Sequence, residues 1–361
     1  MRMLRRYLCA PVAAIAIAAL WGAIPAGAST TRTVHAGQSI QAAVDHAKAG
    51  DTIVVERGTY AENVEILKGD IHLIGHDATI VPPATPHPGS KCFSPEDPTS
   101  LSGICVLSPF ANLDTGVVTK YLKGTVVTGF TVKGFSGNGF VAFGAQDTEV
   151  THNRFLDNGE YGAAAFTSTQ TSFEHNASIT TAPSAEAGFY IGDSPNANAE
   201  VEHNVSSGAQ FGVFVRDAFE AHIEQNDISG NCVGIVFLAD APGPAGHSNA
   251  DHNDVHDNDR FCPPGEDGGP STSGVGIASA GATDTHVHEN RIVNNVPSGP
   301  AGLSGGLVVV QVGPTPPTHN HMTSNVVKGN GTDVFWDGSG VDNLFFDNHC
   351  TTSVPAGLCK K

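Results

Sequence analysis

An asparagine with an apolar residue on each side returns eight times in this chain, at Asn153, Asn176, Asn204, Asn226, Asn253, Asn290, Asn325 and Asn348. The spacings are 23, 28, 22, 27, 37, 35 and 23 residues. A unit of about 22 residues that tolerates insertions marks a solenoid, in which each repeat packs only on its neighbours. Within a unit, apolar and polar residues alternate in short runs, so each unit is built from strands rather than helices.

In four units a glycine stands 14 residues before the asparagine and opens a β-rich run: Gly139, Gly162, Gly212 and Gly276. Gly188 and Gly234 do the same, with small insertions afterwards. Three short strands per turn, broken by Gly and Asn that tolerate left-handed backbone, predict an all-β parallel β-helix. Stacked coils place each anchor asparagine about 4.8 Å above the last, where side-chain amides can hydrogen-bond in a column. The asparagines are therefore expected to be structural.

These anchors and glycines give the chain its likeness to known proteins. It resembles the right-handed parallel β-helix proteins of the pectin-lyase-like superfamily, and in anchor spacing the repeats of periplasmic accessory proteins of the NosD type. The resemblance implies a right-handed solenoid of about ten coils over nearly all of the mature chain. It implies no single activity, since that superfamily holds lyases, hydrolases, epimerases, esterases and adhesins. It does imply a place to look, because such proteins generally bind sugar polymers in a groove along the coils.

The two ends carry their own signals. Three arginines in the first six residues, an apolar run from Leu8 to Ile24 and Ala26-Gly27-Ala28 read as a secretory signal over 1–28. The β-helix is then expected over 29–361, divided into a cap and first strands (29–70), coils (71–348) and a disulfide tail (349–361). Ser39 is placed to cap a short helix with Ile40, Ala43, Val44 and Ala47 on one face, a lid for the first coil's open edge. Trp336, Phe345 and Phe346 are expected to plug the last coil. Export makes disulfides the default for the six remaining cysteines, and nearest-neighbour pairing gives Cys92–Cys105, Cys232–Cys262 and Cys350–Cys359 among fifteen connectivities.

Charge restricts the partners. The formal charge of −18 becomes −21 once the three signal arginines are removed. Such acidity disfavours nucleic acid and anionic membranes, and also anionic polysaccharide unless a cation bridges the two. No second apolar run is long enough to span a bilayer. The product is expected to be a monomer, secreted or periplasmic.

Chemistry is expected on the outward faces, where residues of successive coils form columns, since no P-loop, HExxH, GxSxG or dinucleotide fingerprint occurs. Two residues before the anchor, on the second strand, stand Thr151, Glu174, Glu202, Glu224, Asp251 and His288. Carboxylates at that spacing need either solvent or a shared cation, and Glu202, Glu224 and Asp251 would suit calcium. One residue before the anchor is a histidine column, His152, His175, His203 and His252, expected at a tight bend.

The first-strand face is the stronger candidate for ligand binding. Its outward positions include Phe143, Phe166, Tyr190 and Phe214, and past the strand ends come Asp193, Asp217 and Asp240, with Arg216 alongside. Insertions at 256–273, 293–305, 242–248 and 313–318 flank this face and are expected to make the rims of a groove. Aromatics there would stack on sugar rings. The aspartates would supply a hydrolase's carboxyl pair, whereas Arg216 would serve a lyase by stabilising charge. The sequence thus points to a protein that binds, and in one reading cleaves, polysaccharide or a cell-surface glycan. A non-catalytic metal-binding or structural rod is the rival.

Overall fold

The computed structural model describes residues 29–240, 243–265 and 269–359. The signal segment lies outside them. Parallel strands wind into stacked coils that form two sheets, one of 20 strands and one of 11. The 11-stranded sheet is the first-strand stack, running from Val64–Ile66 through Phe140–Phe143, Tyr161–Phe166, Ala187–Ser194 and Phe211–Ala218 to Ser353–Val354. The larger sheet holds the second and third strands of each coil, as in Thr169–Glu174 and Ala177–Ile179. The apolar interior includes Val150, Phe173, Val201, Ile223, Ala250 and Val287, one inward residue per coil, all buried.

The asparagine column runs the length of the regular coils. Asn176 shows its wiring: the backbone N donates to Asn204 Oδ1 at 2.8 Å, and Nδ2 donates to Val150 O at 2.7 Å and to Asn204 Oδ1 at 3.1 Å. The same pattern links Asn153 to Asn176 and continues to Asn325 and Asn348. Each amide thereby satisfies backbone groups that a sharp corner would otherwise leave buried and unpaired. A second column, Asn231, Asn258, Asn295 and Asn330, stands five residues after its anchors and is bonded in the same way.

Left-handed backbone occurs at many glycines, as at Gly129, Gly208 and Gly230, but not at the anchor asparagines or the glycines that open the first strands. It is the residue before each anchor that has positive φ: His152, His175, His203, Gln225, His252, Glu289, Ser324 and Asp347 all lie between 54° and 58°. The strand glycines are needed for another reason. A Cβ on Gly162 would lie 2.5 Å from Gly188 O, one on Gly188 2.7 Å from Gly212 O, and one on Gly212 2.5 Å from Gly234 O. Only glycine lets consecutive coils approach so closely at this point.

Helix Ile40–His46 caps the first coil, burying Ile40 and Val44. Ser39 Oγ accepts from Ala42 N at 3.1 Å. Glu62 reinforces the cap, accepting from the backbone N of Ile40 and Gln41 at 2.8 and 3.0 Å. At the other end Trp336 packs on Phe345, with ring centroids 5.8 Å apart, while Phe346 turns outward and is 57% exposed. The plug is therefore two aromatics rather than three. All three disulfides form with the pairing Cys92–Cys105, Cys232–Cys262 and Cys350–Cys359. No helix among the described residues is long and apolar enough to cross a membrane.

Candidate functional site

The two outward faces behave differently. On the second strands, register pairs Thr151 with Glu174, Glu174 with Glu202, Glu202 with Glu224, Glu224 with Asp251 and Asp251 with His288, one continuous half-buried column. Burial and then neighbouring carboxylates push the Glu202 carboxyl upward. Glu224, Asp251 and His252 each bring a ligand atom within 4.8 Å of the others. Both nitrogens of His252 already face carboxylates, Asp251 Oδ2 at 3.0 Å and Glu289 Oε2 at 2.8 Å, and the Asp251 hydrogen bond raises its pKa. The histidine column is exposed, with His152 and His175 stacked at 5.0 Å and His175 and His203 at 4.8 Å.

On the first-strand face, outward does not mean exposed. Val141, Ala164, Tyr190, Phe214, Val236, Ala278 and Val308 are all buried in a second apolar cluster. The expected open groove along these strands is replaced by a covered layer. Tyr190 lies 4.7 Å from both Tyr161 and Phe166 and 5.3 Å from Phe214 by ring centroids. Enclosed in this way, Tyr190 and Phe214 cannot stack on a sugar; they form packing beneath the surface. Phe143 and Phe166 are equally buried but reach the floor of a cavity at the strand ends.

That cavity has a volume of about 460 Å³. Its walls come from four places: Pro95 and Glu96, Leu113 to Gly116, the turn carrying Asp193 and Pro195, and Asp217 with Gly243 and Pro244. Asp193 and Asp217 sit on adjacent coils, bracketed by the pairs Gly192 with Arg216 and Ser194 with Ala218. Both adopt left-handed backbone, with φ of 54° and 48°, one residue before the end of their strands, and both line the cavity. Arg216 Nε donates to Asp240 Oδ1 at 3.1 Å, and Asp240 N donates to Asp217 Oδ1 at 3.2 Å. All four residues expected to carry chemistry are thus gathered at one place, two of them on the cavity wall and two directly behind it.

Asp217 is the distinctive group. It is only 4% exposed, and its Oδ2 is buried without a hydrogen-bond partner. Burial, and next the repulsion of Asp240, push its pKa up to about 6. For Arg216 burial alone would weaken the charge, but the Asp240 hydrogen bond and the surrounding anions outweigh it and push the pKa up. The guanidinium is permanently charged and already paired, so it is a brace for the aspartates.

Sequence reasoning missed a further layer. Glu160 and Glu186 stand two residues before the strand glycines Gly162 and Gly188, a column that continues as Gln210 and Cys232. Burial raises both carboxyls to about 7, and Glu96 adds to the effect on Glu186. The buried Tyr161 donates its hydroxyl to Glu96 Oε2 at 2.8 Å, fastening the Pro-rich segment over the sheet. The glycine offset was the available signal. What no local pattern carries is that Glu96 returns from 65 residues away.

Comparison with known proteins agrees with this architecture. A family model described as "Right handed beta helix region" matches residues 108–245. The chain has a right-handed parallel β-helix fold. Among solved structures, this β-helix is similar to the mannuronan C-5 epimerase AlgE4 A-module of Azotobacter vinelandii, with 15% identity, TM-score 0.53 and coverage of 87% of this chain and 91% of that one. It is similar to an alginate lyase from Paenibacillus sp. str. FPU-7, with 12% identity, TM-score 0.56 and coverage of 90% and 99%. A double mutant of the periplasmic alginate epimerase AlgG gives 14% identity and TM-score 0.58, over 83% of this chain and 71% of that one. At such identities the likeness is one of fold. No curated protein matches the sequence.

Proposed function

We propose that this protein binds a glycan of low charge in the cavity at the first-strand ends and hydrolyses its glycosidic bond with a carboxyl pair. The observation that carries this reading is Asp217, a buried carboxyl on the cavity wall with one unpartnered oxygen and a pKa raised to about 6. A protonated carboxyl in that position is a general acid for the departing sugar oxygen. Asp193, exposed on the next coil, is the base or nucleophile. Coil spacing of about 4.8 Å sets the two near the short separation that retaining glycosidases use, about 5 Å. Three disulfides suit an exported protein working in an oxidising compartment.

Neutral sugar is favoured over uronate by the cavity's charge. Its lining includes Glu96, Asp114, Asp193 and Asp217, and among the described residues no lysine, arginine or histidine lines it. The similar structures are titled as acting on alginate or mannuronan, and an anionic chain would enter this cavity only with a bridging cation. Elimination is disfavoured for the same reason: Arg216, the cation the sequence offers for it, is committed to Asp240.

The test is incubation with xylan, mannan, β-glucan, polygalacturonate and alginate, with and without calcium, following reducing ends and the ultraviolet absorbance of a new double bond. Reducing ends alone from a neutral polymer are expected. Absorbance that grows with them on a uronate polymer would overturn the hydrolase assignment in favour of elimination. No turnover on any polymer would remove the catalytic reading.

A further inference from the structure

We infer that the cavity takes the end of a glycan chain, or a short oligosaccharide, rather than the middle of a long polymer. The inference rests on the carbohydrate reading above and adds the mode of attack to it.

An enzyme that cuts within a polymer needs a cleft open at both ends, so that chain can enter and leave. In a β-helix the natural cleft runs along the coil axis, across the outward side chains of successive first strands. Here that track is filled: Val141, Ala164, Tyr190, Val236 and Ala278 are all buried along it. The remaining opening is blocked in both axial directions. Toward the N-terminal coils stands the hairpin closed by the Ala111–Val118 bridge, packed so tightly that a Cβ on Gly144 would lie 3.1 Å from both Ala111 Cβ and Val118 Cγ2. Its tip reaches the next coil, where a Cβ on Gly116 would lie 3.5 Å from Thr167 Cγ2. Toward the C-terminal coils, Gly243 closes on Asp217, with 3.3 Å from a Gly243 Cβ to Asp217 Cβ. Behind it the Arg216–Asp240 pair holds that side.

The third wall is also fixed. Pro95 and Glu96 belong to a segment stapled by Cys92–Cys105, by the Phe93–Leu101 bridge and by the Tyr161–Glu96 hydrogen bond. A volume of about 460 Å³ bounded in this way is the size of a small-ligand pocket rather than of a polymer track. Asp217, at the C-terminal wall, lies beside the blocked end, so the bond cut is close to the terminus that enters.

The experiment uses the mature protein with each of the five polymers named above and with fragments of about two to six sugars from each, the shortest of which fit wholly within a pocket of about 460 Å³. Viscosity, reducing ends and product masses are followed together, and binding of each fragment is measured by calorimetry. Expected are short products from the earliest time points, viscosity nearly constant while reducing ends accumulate, and kcat/KM per unit mass about tenfold higher on fragments than on polymer. A rapid fall in viscosity with long, polydisperse products would overturn the inference and leave the hydrolase reading intact. Absence of both turnover and binding heat on every polymer and fragment would overturn both. As an internal check, replacing Leu113–Gly116 by a two-residue turn opens the N-terminal wall and is expected to shift products toward longer fragments; an unchanged product distribution counts against the wall.

Discussion

The first-strand and second-strand faces of this solenoid obey one alternation rule and end in opposite environments. On both, every second residue points away from the coil interior. On the second strands those residues, from Glu174 to His288, form a half-buried ionisable column bordered by exposed histidines. On the first strands the corresponding residues lie in a second apolar core that includes Tyr190, Phe214 and Ala278. The difference teaches that in a β-helix the strand pattern sets direction, while insertions between strands decide what lies in that direction. Enclosure beside the apolar layer raises Glu160 and Glu186 to about 7 and Asp217 to about 6, and burial also raises Glu202 in the half-buried second-strand column.

The contrast can be broken most directly by truncating an equivalent outward residue on each face. Phe166→Ala on the first strands is expected to cost about 3–5 kcal/mol, as for any core aromatic, whereas Glu202→Ala on the second stays within about 0.5 kcal/mol of the parent. Urea denaturation of both variants decides it, and equal effects would mean that the first-strand face is open. Asp217→Asn comes next: turnover is expected to fall roughly a hundredfold to ten-thousandfold with the melting temperature maintained. In the parent, activity should decline on the alkaline side of pH about 6, where Asp217 loses its proton. A profile still rising above that pH would reassign the acid.

Stability should depend on pH with a definite sign. The folded protein holds protons on Glu160 and Glu186 up to about pH 7, whereas the unfolded chain releases them near the ordinary value of 4.5. Their contribution is therefore complete below 4.5 and is lost as pH rises through about 7. The melting temperature is expected to fall across that window, and Glu186→Gln to flatten part of the fall; a Glu186→Gln melting curve that tracks the parent at every pH would place this carboxyl in water. The smallest effect concerns the second-strand face. Calcium is expected to raise the melting temperature slightly through Glu224 and Asp251, with the rise absent in Glu224→Gln. A response identical in the variant would move the cation to another site.

The fold was legible because its determinants are local and repeated. An asparagine every 22 residues or more specifies a corner amide column, alternation specifies strands, and Ser39 ahead of an amphipathic run specifies the cap. Nearest-neighbour cysteines closed the shortest loops and paired as expected. The column from Thr151 to His288 followed from fixed offset to the anchor alone. Counting could also have reached Glu160 and Glu186, through their offset from the strand glycines.

What the sequence by itself determined about this protein is thus its coil, its corner ladders, its cap and the direction of each side chain. Only the tertiary structure decided which outward residues meet solvent. Tyr190 and Phe214 read as platforms because alternation gives direction and not cover, and cover comes from segments many residues distant. The carboxyl of Asp217 acquires its environment only when Asp240 and Gly243 fold back on it from the following coil. Burial and charge repulsion act through space, so the chemistry of this site is set by neighbours that no period along the chain brings together.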